Sequence, residues 1–185
     1  RDFLIILNNS HFILKLAESE AELAAAQRLR YRVFVQELGA RPSYGATAEN
    51  REIDAFDPYF DHLILKDTRS TDAHTGPGGA YPLVRGEYDL DAIIRSGRPA
   101  VELGRSCVDA AYRNGIALHL LWQGVADYVL RNGIELLFGV ASFNGTDPQG
   151  YADGLSFLHH NHLAPKELRV EARAAGRVPM AMKPL

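Results

Sequence analysis

The alternation of apolar and polar residues in the first third of the chain predicts two strands with a helix between them. Phe12–Ala17 alternates with a period of two, which is typical of a strand. Ser19–Glu22 has the spacing of a capping box, so we expect a helix to follow as far as about Leu38, with Gly39 ending it. His62–Lys66 is predicted to be the second strand, after an irregular segment that contains prolines and a glycine.

The second half of the chain carries the strongest apolar pattern. Val101–Val108 is predicted to be a central strand, and Ile116–Arg131 a helix with one apolar face. Ile134–Phe143 is almost continuously apolar, which favours a strand buried on both faces. A strand–helix–strand order implies a parallel pair with a right-handed crossover. We therefore predict an α/β (α+β) fold with a mixed, mostly antiparallel central sheet flanked by helices.

Weaker patterns predict further elements at the edges of this framework. Phe3–Leu7 is short enough to be an edge strand, Ala80–Arg85 a third strand weakened by its proline, and Glu87–Arg98 a helical turn. Asp147-Pro148 is typical of a helix start, although two glycines, at 150 and 154, are expected to interrupt that helix. Lys166–Ala175 is predicted to be a short helix.

Composition restricts the class of protein. The chain has 185 residues, of which 46% are hydrophobic, enough for one domain spanning residues 1–185. A formal net charge of −3 argues against a general affinity for nucleic acid. The single cysteine, Cys107, excludes an internal disulfide and fits a reducing compartment, so we expect a cytoplasmic location. No apolar run is long enough to cross a membrane.

Candidate chemistry concentrates in Val101–Leu118. The predicted strand places Glu102 and Arg105 near its middle and leads through the turn Arg113–Gly115 into the apolar helix. A turn that opens a helix presents free backbone N–H groups and the positive end of the helix dipole, which suits a phosphate. An upstream carboxylate suits proton removal. This combination favours acyl or phosphoryl transfer.

A geometric condition applies to Glu102 and Arg105. Residues three apart on a regular strand face opposite sides, so the two share a site only if the strand is bulged, which Gly104 permits. Such a bulge would also free an N–H near Val108 for the oxyanion of a thioester. Without a bulge, one of the two side chains is structural.

Other polar residues have competing interpretations. Cys107 is expected to be a small buried residue rather than a nucleophile, since no histidine is paired with it in the sequence. His159 and His162 share a helix face without a further ligand, so we predict no metal site. Ser142 and Asn144 follow the buried strand, where ligands bind in α/β sheets, but they also fit hydrogen bonding at the strand end. Four cations at helical spacing fit a docking face for an acidic partner or a solvated surface: Lys166, Arg169, Arg173 and Arg177.

The order of elements, with the turn signature at Tyr112–Leu118, resembles the GNAT N-acyltransferase superfamily. Four segments resemble one branch, the ornithine N-acyltransferase family, often labelled hemolysin-like, which makes the lyso precursor of ornithine lipids. Acyl-homoserine-lactone synthases are more distant relatives. The segments are RLRYRVFVQELGA (Arg28–Ala40), EIDAFDPYFDHLIL (Glu52–Leu65), ELGRSCVDAAYRNG (Glu102–Gly115) and LFGVASFNGTDP (Leu137–Pro148).

The resemblance implies a role for each matching residue. Glu102 and Arg105 would be catalytic, with Glu102 taking a proton from the amine directly or through water. The residues expected to bind the amine substrate are Arg30, Phe34, Asp54, Asp57, Ser142 and Asn144, although Arg30 could also pair with a carboxylate of its own helix. The residues expected to bind the phosphopantetheine of the acyl donor are Cys107, Val108, Arg113, Asn114, Gly115, Ile116 and Ala117.

The resemblance further implies that a long acyl chain passes from acyl carrier protein to the α-amine of an amino acid by direct attack. No tightly bound cofactor is expected, and the lipid-like product is compatible with peripheral membrane contact. The turn at Arg113–Gly115 is shorter than the loop of coenzyme-A-dependent members, which favours a carrier with a single phosphate. Pro82 replaces a usual arginine, with Arg85 as a conceivable substitute, and relatives continue through further strands beyond Leu185. Two alternatives stay open: a small-acyl, coenzyme-A-dependent enzyme and a non-catalytic acyl-binding or partner-binding domain.

Overall fold

The computed structural model of the chain describes residues 4–6, 11–41, 49–69, 87–113, 115–141, 143, 145, 147–173 and 177–184. The chain divides into two compact units. Unit 1 comprises Arg1–Tyr81 and Ala100–Phe138, and unit 2 comprises Pro82–Pro99 and Gly139–Leu185. The expectation of one domain over the whole chain stays a prediction.

The described residues contain helices and short strands in alternation, so the predicted mixed α/β class is confirmed. The helices are α1 Glu20–Arg30, α2 Asp91–Arg95, α3 Ala117–Asn132 and α4 Ala152–Asn161. The strands are β1 Leu4–Ile6, β2 Phe12–Leu16, β3 Leu63–Asp67, β4 Tyr88–Asp89, β5 Ala100–Leu103, β6 Leu136–Gly139 and β7 Glu171–Ala172.

The core of unit 1 lies between an antiparallel sheet and α3. The sheet has the order β1-β2-β3, with β1 at an edge as predicted, and Leu14 of β2 is paired with Leu65 of β3. Leu14, Leu63 and Leu65 form a buried cluster with Ala117 and Leu120 of α3. The apolar face predicted for this helix therefore covers the strands that the alternating pattern predicted.

The first predicted helix is present but changes its geometry along its length. The Ser19 side chain caps α1 by accepting a hydrogen bond from the N–H of Glu22 at 3.2 Å. After Arg30 the chain continues as a π-helix, Tyr31–Glu37. Gly39, with a φ of 70°, turns the chain away, since only glycine adopts that conformation without strain. π-Helical segments are rare and occur mostly at functional sites.

The prediction of one strand over Val101–Val108 is wrong in its second half. The strand β5 ends at Leu103, and Arg105 adopts the left-handed conformation with a φ of 55°. A non-glycine residue there costs about 1–2 kcal/mol, so contacts of the side chain must hold it in place. The chain then forms a 3₁₀ turn, Ala110–Tyr112, which Asp109 caps.

The strand predicted over Ile134–Phe143 is shorter and more exposed than expected. Its observed part, β6, pairs with β5, in agreement with the strand–helix–strand order. Leu137 is 48% exposed, however, and no residue of β6 is fully buried. Burial on both faces is therefore wrong, and among the described residues β6 pairs with β5 alone.

In unit 2, α4 runs through Gly154 without a break, so the predicted interruption at that glycine is wrong. Ser156, two residues later, is buried and makes several contacts in this helix. The Ser156 hydroxyl accepts hydrogen bonds from the N–H groups of Met182 and Lys183, at 3.1 and 2.9 Å, and lies 3.2 Å from the carbonyl oxygen of Met180. These contacts attach the end of the chain to the helix.

Two other sequence predictions fall in unit 2. Asp147 accepts a hydrogen bond from the N–H of Gln149 at 3.0 Å and caps the turn Pro148–Tyr151 that leads into α4, as predicted. The helix predicted over Lys166–Ala175 is wrong, since this segment forms a 3₁₀ turn, Lys166–Leu168, and then β7. The basic helix face predicted from four cations therefore does not form: Lys166, Arg169, Arg173 and Arg177.

Candidate active site

A completely buried arginine lies at the centre of the site in unit 1. Arg30, the last residue of α1, has an exposed fraction of 0%. Its two terminal nitrogens donate to the two carboxylate oxygens of Asp57, each at 2.7 Å. The Nη2 group also donates to the carbonyl oxygen of Glu52 at 2.6 Å, and Nε lies 3.0 Å from Oε2 of the same residue without hydrogen-bond geometry. The bidentate contact fixes the orientation of both side chains.

Asp57 joins the helix to the irregular loop that precedes β3. Its Oδ2 atom accepts from the side-chain amide of Gln27 at 2.8 Å and from the backbone N–H of Asp54 at 3.0 Å. Burial alone would raise the pKa of Asp57, but hydrogen bonds and the charge of Arg30 outweigh it and hold the pKa below its usual value. Asp57 is therefore an ionised group that organises the loop.

A second arginine extends this cluster toward solvent. Arg105 donates to Oδ2 of Asp54 from Nε at 3.1 Å and from Nη2 at 2.6 Å, and its Nη1 lies 3.6 Å from Oε1 of Glu52. These ion pairs hold the left-handed conformation of Arg105. Its side chain is 31% exposed, whereas those of Asp54 and Glu52 are 5% and 3% exposed. Arg105 thus forms the accessible edge of the cluster.

The bulge expected between Glu102 and Arg105 does not form. Instead of a bulge within a longer strand, β5 ends after Leu103, and the turn at Gly104 and Arg105 redirects the arginine side chain. Glu102 lies on β5 with an exposed fraction of 2%. Its role as a base stays a prediction.

An apolar groove lies beside the first turns of α3. Its volume is about 370 Å³, and Leu118 and Trp122 on its wall are 54% and 57% exposed. Ile116, at the N-cap of α3, has an apolar side chain that accepts no hydrogen bond from the N–H groups of the first turn. The groove is lined by Leu63, Leu103, Ser106, Cys107, Val108, Arg113, Leu118, Leu121, Trp122 and Val125.

Cys107 lies on this groove but is buried, with an exposed fraction of 7%. Burial raises its pKa to about 12. A thiol with so high a pKa forms almost no thiolate at neutral pH and is therefore a poor nucleophile. The sequence interpretation of Cys107 as a buried residue agrees with its packing against Leu29, Val33 and Phe34.

The predicted site residues separate into groups. Arg30, Asp54, Asp57 and Arg105 form one cluster of ion pairs, while Phe34 contacts the core beside Cys107. The donor-side residues Cys107, Val108 and Arg113 line the groove, and Gly115, Ile116 and Ala117 lead into α3. Several predicted residues lie outside the described part of the chain: Pro82, Arg85, Asn114, Ser142 and Asn144.

Sequence reasoning missed several residues of the cluster. Glu52 contacts both arginines, Gln27 donates to Asp57, and His62 packs beneath the loop with Nε2 3.1 Å from the carbonyl oxygen of Asp57. Two signals were present: Gln27 and Arg30 are three apart on one helix face, and the Glu52–Asp57 loop carries acidic residues among apolar ones. Neither signal identifies which acidic residue forms an ion pair with each arginine.

In the described part of the chain, no helix is long and apolar enough to cross a membrane. Among the same residues, no three histidine, cysteine or acidic side chains are grouped closely enough to hold a metal ion.

Comparison with known proteins identifies the family. Residues 29–123, which contain the whole ion-pair cluster, match the family model for the acetyltransferase (GNAT) domain. The L-ornithine N(alpha)-acyltransferase of Rhodobacter capsulatus is 44% identical over an alignment of 184 residues, which covers 92% of this chain and 71% of that protein. The proteins of the same name from Brucella abortus and Rhizobium meliloti are each 40% identical, over 92% and 86% of this chain.

The chain spans 66% of the length of the Brucella abortus protein and 59% of the Rhizobium meliloti protein. The similarity therefore extends over most of this chain but over a smaller part of each relative. The family model covers both candidate subsites, from Arg30 at the end of α1 to the first turns of α3. The chain belongs to the GNAT family of N-acyltransferases, in the branch represented by the L-ornithine N(alpha)-acyltransferases.

Proposed function

We propose that this chain transfers a long-chain acyl group from an acyl carrier protein thioester to the α-amine of ornithine or a related amino acid. The observation that carries the proposal is the Asp54–Arg105 ion pair, which lies at the end of β5 with the arginine partly exposed and the carboxylate buried. The names of the relatives supply the acceptor, and the groove along α3 supports the donor.

The ion-pair cluster suits an amino acid as acceptor. Its two guanidinium groups and three carboxylates leave one negative charge in excess when all are ionised: Arg30, Arg105, Glu52, Asp54 and Asp57. An excess of negative charge attracts an ammonium group, and the exposed guanidinium of Arg105 suits the α-carboxylate of the same molecule. Arg30 and Asp57 are too deeply buried to reach a substrate without rearrangement, so we assign them the role of positioning Asp54 and Arg105.

The groove suits an acylated pantetheine arm. Its wall is mainly apolar, and it ends near the turn at Arg113 and the uncapped first turn of α3, where N–H groups and the helix dipole favour a phosphate. A carrier-bound phosphopantetheine has one phosphate to place there. We assign the N–H groups near Val108 to the thioester oxyanion.

The reaction proceeds by direct attack. The amine loses a proton to Glu102, directly or through water, and its nitrogen forms a bond to the thioester carbon. The resulting oxyanion collapses, the carbon–sulfur bond breaks, and the pantetheine thiolate leaves and takes up a proton. Starting from the ammonium form, the products are an amide, a free thiol and one proton released to solvent, and no acyl group is attached to the enzyme.

Replacement of the base tests the proposal. We expect Glu102→Gln to lower the rate of amide formation about 10²- to 10⁴-fold, the usual contribution of a general base. The assay mixes purified protein with ornithine and acyl carrier protein loaded with a long acyl chain, and detects the N-acyl product by mass spectrometry. Glu135→Gln, an exposed residue, is the matched control and is expected to retain wild-type activity.

The donor is tested in the same assay. The alternative of a small-acyl, coenzyme-A-dependent enzyme is favoured by the acetyltransferase description of the matching family model. We expect product from long-chain acyl carrier protein and none from acetyl-coenzyme A. Activity with acetyl-coenzyme A alone would contradict the long-chain proposal, and the absence of product from every donor, in wild type and Glu102→Gln alike, would favour the non-catalytic alternative.

Expression of the protein in bacteria tests the same function in cells. We propose a cytoplasmic enzyme that makes peripheral contact with the membrane, because carrier-bound donors are soluble and the product is a lipid-like amide. New N-acyl amino acids in the lipid extract are expected with the wild-type chain and not with Glu102→Gln.

A further inference from the structure

Two ion pairs connect the first helical segment to the chain that follows β5. Both terminal nitrogens of Arg113 bind the two carboxylate oxygens of Glu37, at the end of the π-helix, with Nη2 2.6 Å from Oε2. Arg32, five residues earlier, binds Oδ2 of Asp109 at 2.5 Å. The two pairs place their charges in opposite order. In the first pair the cation, Arg113, belongs to the chain that follows β5; in the second pair the cation, Arg32, belongs to the π-helix.

The Glu37–Arg113 pair has the geometry of a phosphate site that is already filled. A guanidinium fork binds a carboxylate and a phosphate through the same two parallel hydrogen bonds. The Nε atom of Arg113 donates to the carbonyl oxygen of Val108 at 3.0 Å, which leaves the two terminal nitrogens as the fork and directs them at one anion. Arg113 also lines the groove along α3.

The pair is accessible to a competing anion. The side chains of Arg113 and Glu37 are 39% and 38% exposed, in contrast to the buried ion pairs of the Arg30 cluster. The hydrogen bond from Arg113 holds the pKa of Glu37 below its usual value, so the carboxylate is charged at neutral pH. Exposed ion pairs contribute little to stability and exchange partners at a small cost in free energy.

We propose that Glu37 is an internal competitor for the phosphate of the acyl donor, and that donor binding transfers the Arg113 fork from Glu37 to that phosphate. The inference rests on the proposed function for the location of the phosphate. Glu37 lowers the affinity for the acylated donor and for the deacylated carrier by the same factor, because both carry the same phosphate. It is a specificity-determining residue that acts on binding and release, and it takes no part in the chemical step.

The test measures binding of two small probes that differ only in the phosphate: octanoyl-4′-phosphopantetheine and octanoyl-pantetheine. We expect Glu37→Gln to bind the phosphorylated probe about two- to fivefold more tightly than wild type by calorimetry, the range that one exposed ion pair supports. Affinity for the probe without phosphate is expected to stay unchanged. With the full acyl carrier protein donor, KM is expected to fall by the same factor.

Two controls separate competition from other effects of the substitution. Arg32→Gln breaks the other ion pair between the same two segments, so loosening of the segments would produce the same gain in that variant, whereas competition predicts none. In a protein that already carries Arg113→Gln, adding Glu37→Gln is expected to leave the affinity for the phosphorylated probe unchanged, because Glu37 acts only through the guanidinium of Arg113.

The outcomes are decisive in each direction. Equal affinity of wild type and Glu37→Gln for the phosphorylated probe, an equal gain for both probes, or no binding of the phosphorylated probe to either protein would overturn the inference. Amide formation by wild type in the mass-spectrometric assay would still support the proposed function in those cases. If wild type formed no amide but Glu37→Gln still bound the phosphorylated probe more tightly than wild type, the result would contradict the proposed function and leave the inference on Glu37 intact.

Discussion

At Arg30, burial and charge oppose each other. Removing a guanidinium from water costs several kcal/mol, and this is offset when the group is paired with carboxylates and hydrogen-bonded. The carboxylate of Asp57 and the carbonyl oxygen of Glu52 supply those partners at 2.6–2.7 Å. Buried ion pairs of this kind contribute little to the net free energy of unfolding. The Arg30–Asp57 pair instead fixes the position of the loop that carries Asp54.

Breaking this pair from one side is therefore expected to be costly. Asp57→Asn leaves the guanidinium of Arg30 buried without its main counter-charge, and we expect a loss of about 3–5 kcal/mol in the free energy of unfolding. Denaturant titration followed by circular dichroism measures it. Asp127→Asn removes an exposed i,i+4 partner of Arg131 and should cost less than about 0.5 kcal/mol. Similar losses in the two variants would contradict the structural role of Asp57.

His62 is a second buried group with a defined protonation state. A carbonyl oxygen can only accept, so Nε2, which lies 3.1 Å from that of Asp57, carries the hydrogen and Nδ1 carries the lone pair. Burial lowers the pKa of His62, and the charge of Arg30 acts in the same direction, although the carbonyl and carboxylate of Asp57 oppose it. The folded state therefore favours the neutral ring.

A pH dependence of stability follows from this shift. Because the pKa of His62 is lower in the folded state, unfolding takes up a proton between the folded pKa and the unfolded value of about 6.5. The stabilisation is complete above about pH 6.5 and declines as the pH falls through that window, with a slope of at most about 1.4 kcal/mol per pH unit. Thermal unfolding from pH 5 to 7.5 should show this decline in wild type and in His119→Gln, an exposed control. In His62→Gln the decline should be smaller; an unchanged slope would contradict the assignment.

At the level of elements, the segment from α1 through the π-helix serves two sides of the site. Its α-helical part ends with Arg30, which organises the proposed acceptor side, and its π-helical part ends with Glu37, which contacts Arg113 on the proposed donor side. A π-helix has a wider turn than an α-helix, so the direction of each later side chain differs from the 3.6-residue period. Helix patterning predicted the segment and its end, but not this change.

The contact between α3 and the sheet depends on a glycine. A Cβ atom at Gly124 would lie 2.8 Å from Cδ2 of Leu14 and 3.0 Å from Cδ2 of Leu63, and both leucines are buried. We expect Gly124→Val to destabilise the protein by about 1–3 kcal/mol through overpacking. Gly154→Val, in the interior of α4 with no atom within 4 Å of the added Cβ, should change stability by less than about 0.5 kcal/mol. Chemical denaturation distinguishes them, and equal effects would show that the helix–sheet contact can relax.

At the scale of the whole molecule, the order of elements was readable from local patterns. β2, α1, β3 and α3 lie where alternation, the capping box and the apolar helix face predicted them, because these signals report which face of each element is buried. Two of the predictions that failed concern the length of a strand and its environment. β5 ends at the Gly104–Arg105 turn, and β6 is partly exposed, since strand length and burial depend on neighbours that a local pattern does not contain.

In the candidate site, too, the sequence indicated the residues but not their pairing. The resemblance to a family indicated Arg30, Asp54, Asp57 and Arg105 individually, and the fold brings all four into one cluster. The pairing of Arg30 with Asp57 rather than with a carboxylate of its own helix joins residues 27 positions apart. Such a choice depends on how the loop folds over the helix, and no spacing rule along the chain encodes it.

The sequence by itself determined the mixed α/β class, the principal elements and the residue types available for an acyl-transfer site, because burial periodicity and capping are local properties of the chain. Only the tertiary structure decided that Glu52 joins the two arginines, that Arg105 is held in a left-handed conformation, and that Glu37 occupies the fork of Arg113. Each of these depends on charges brought together from distant parts of the chain; burial makes pairing obligatory in the Arg30 cluster, and geometry selects the partner in all three.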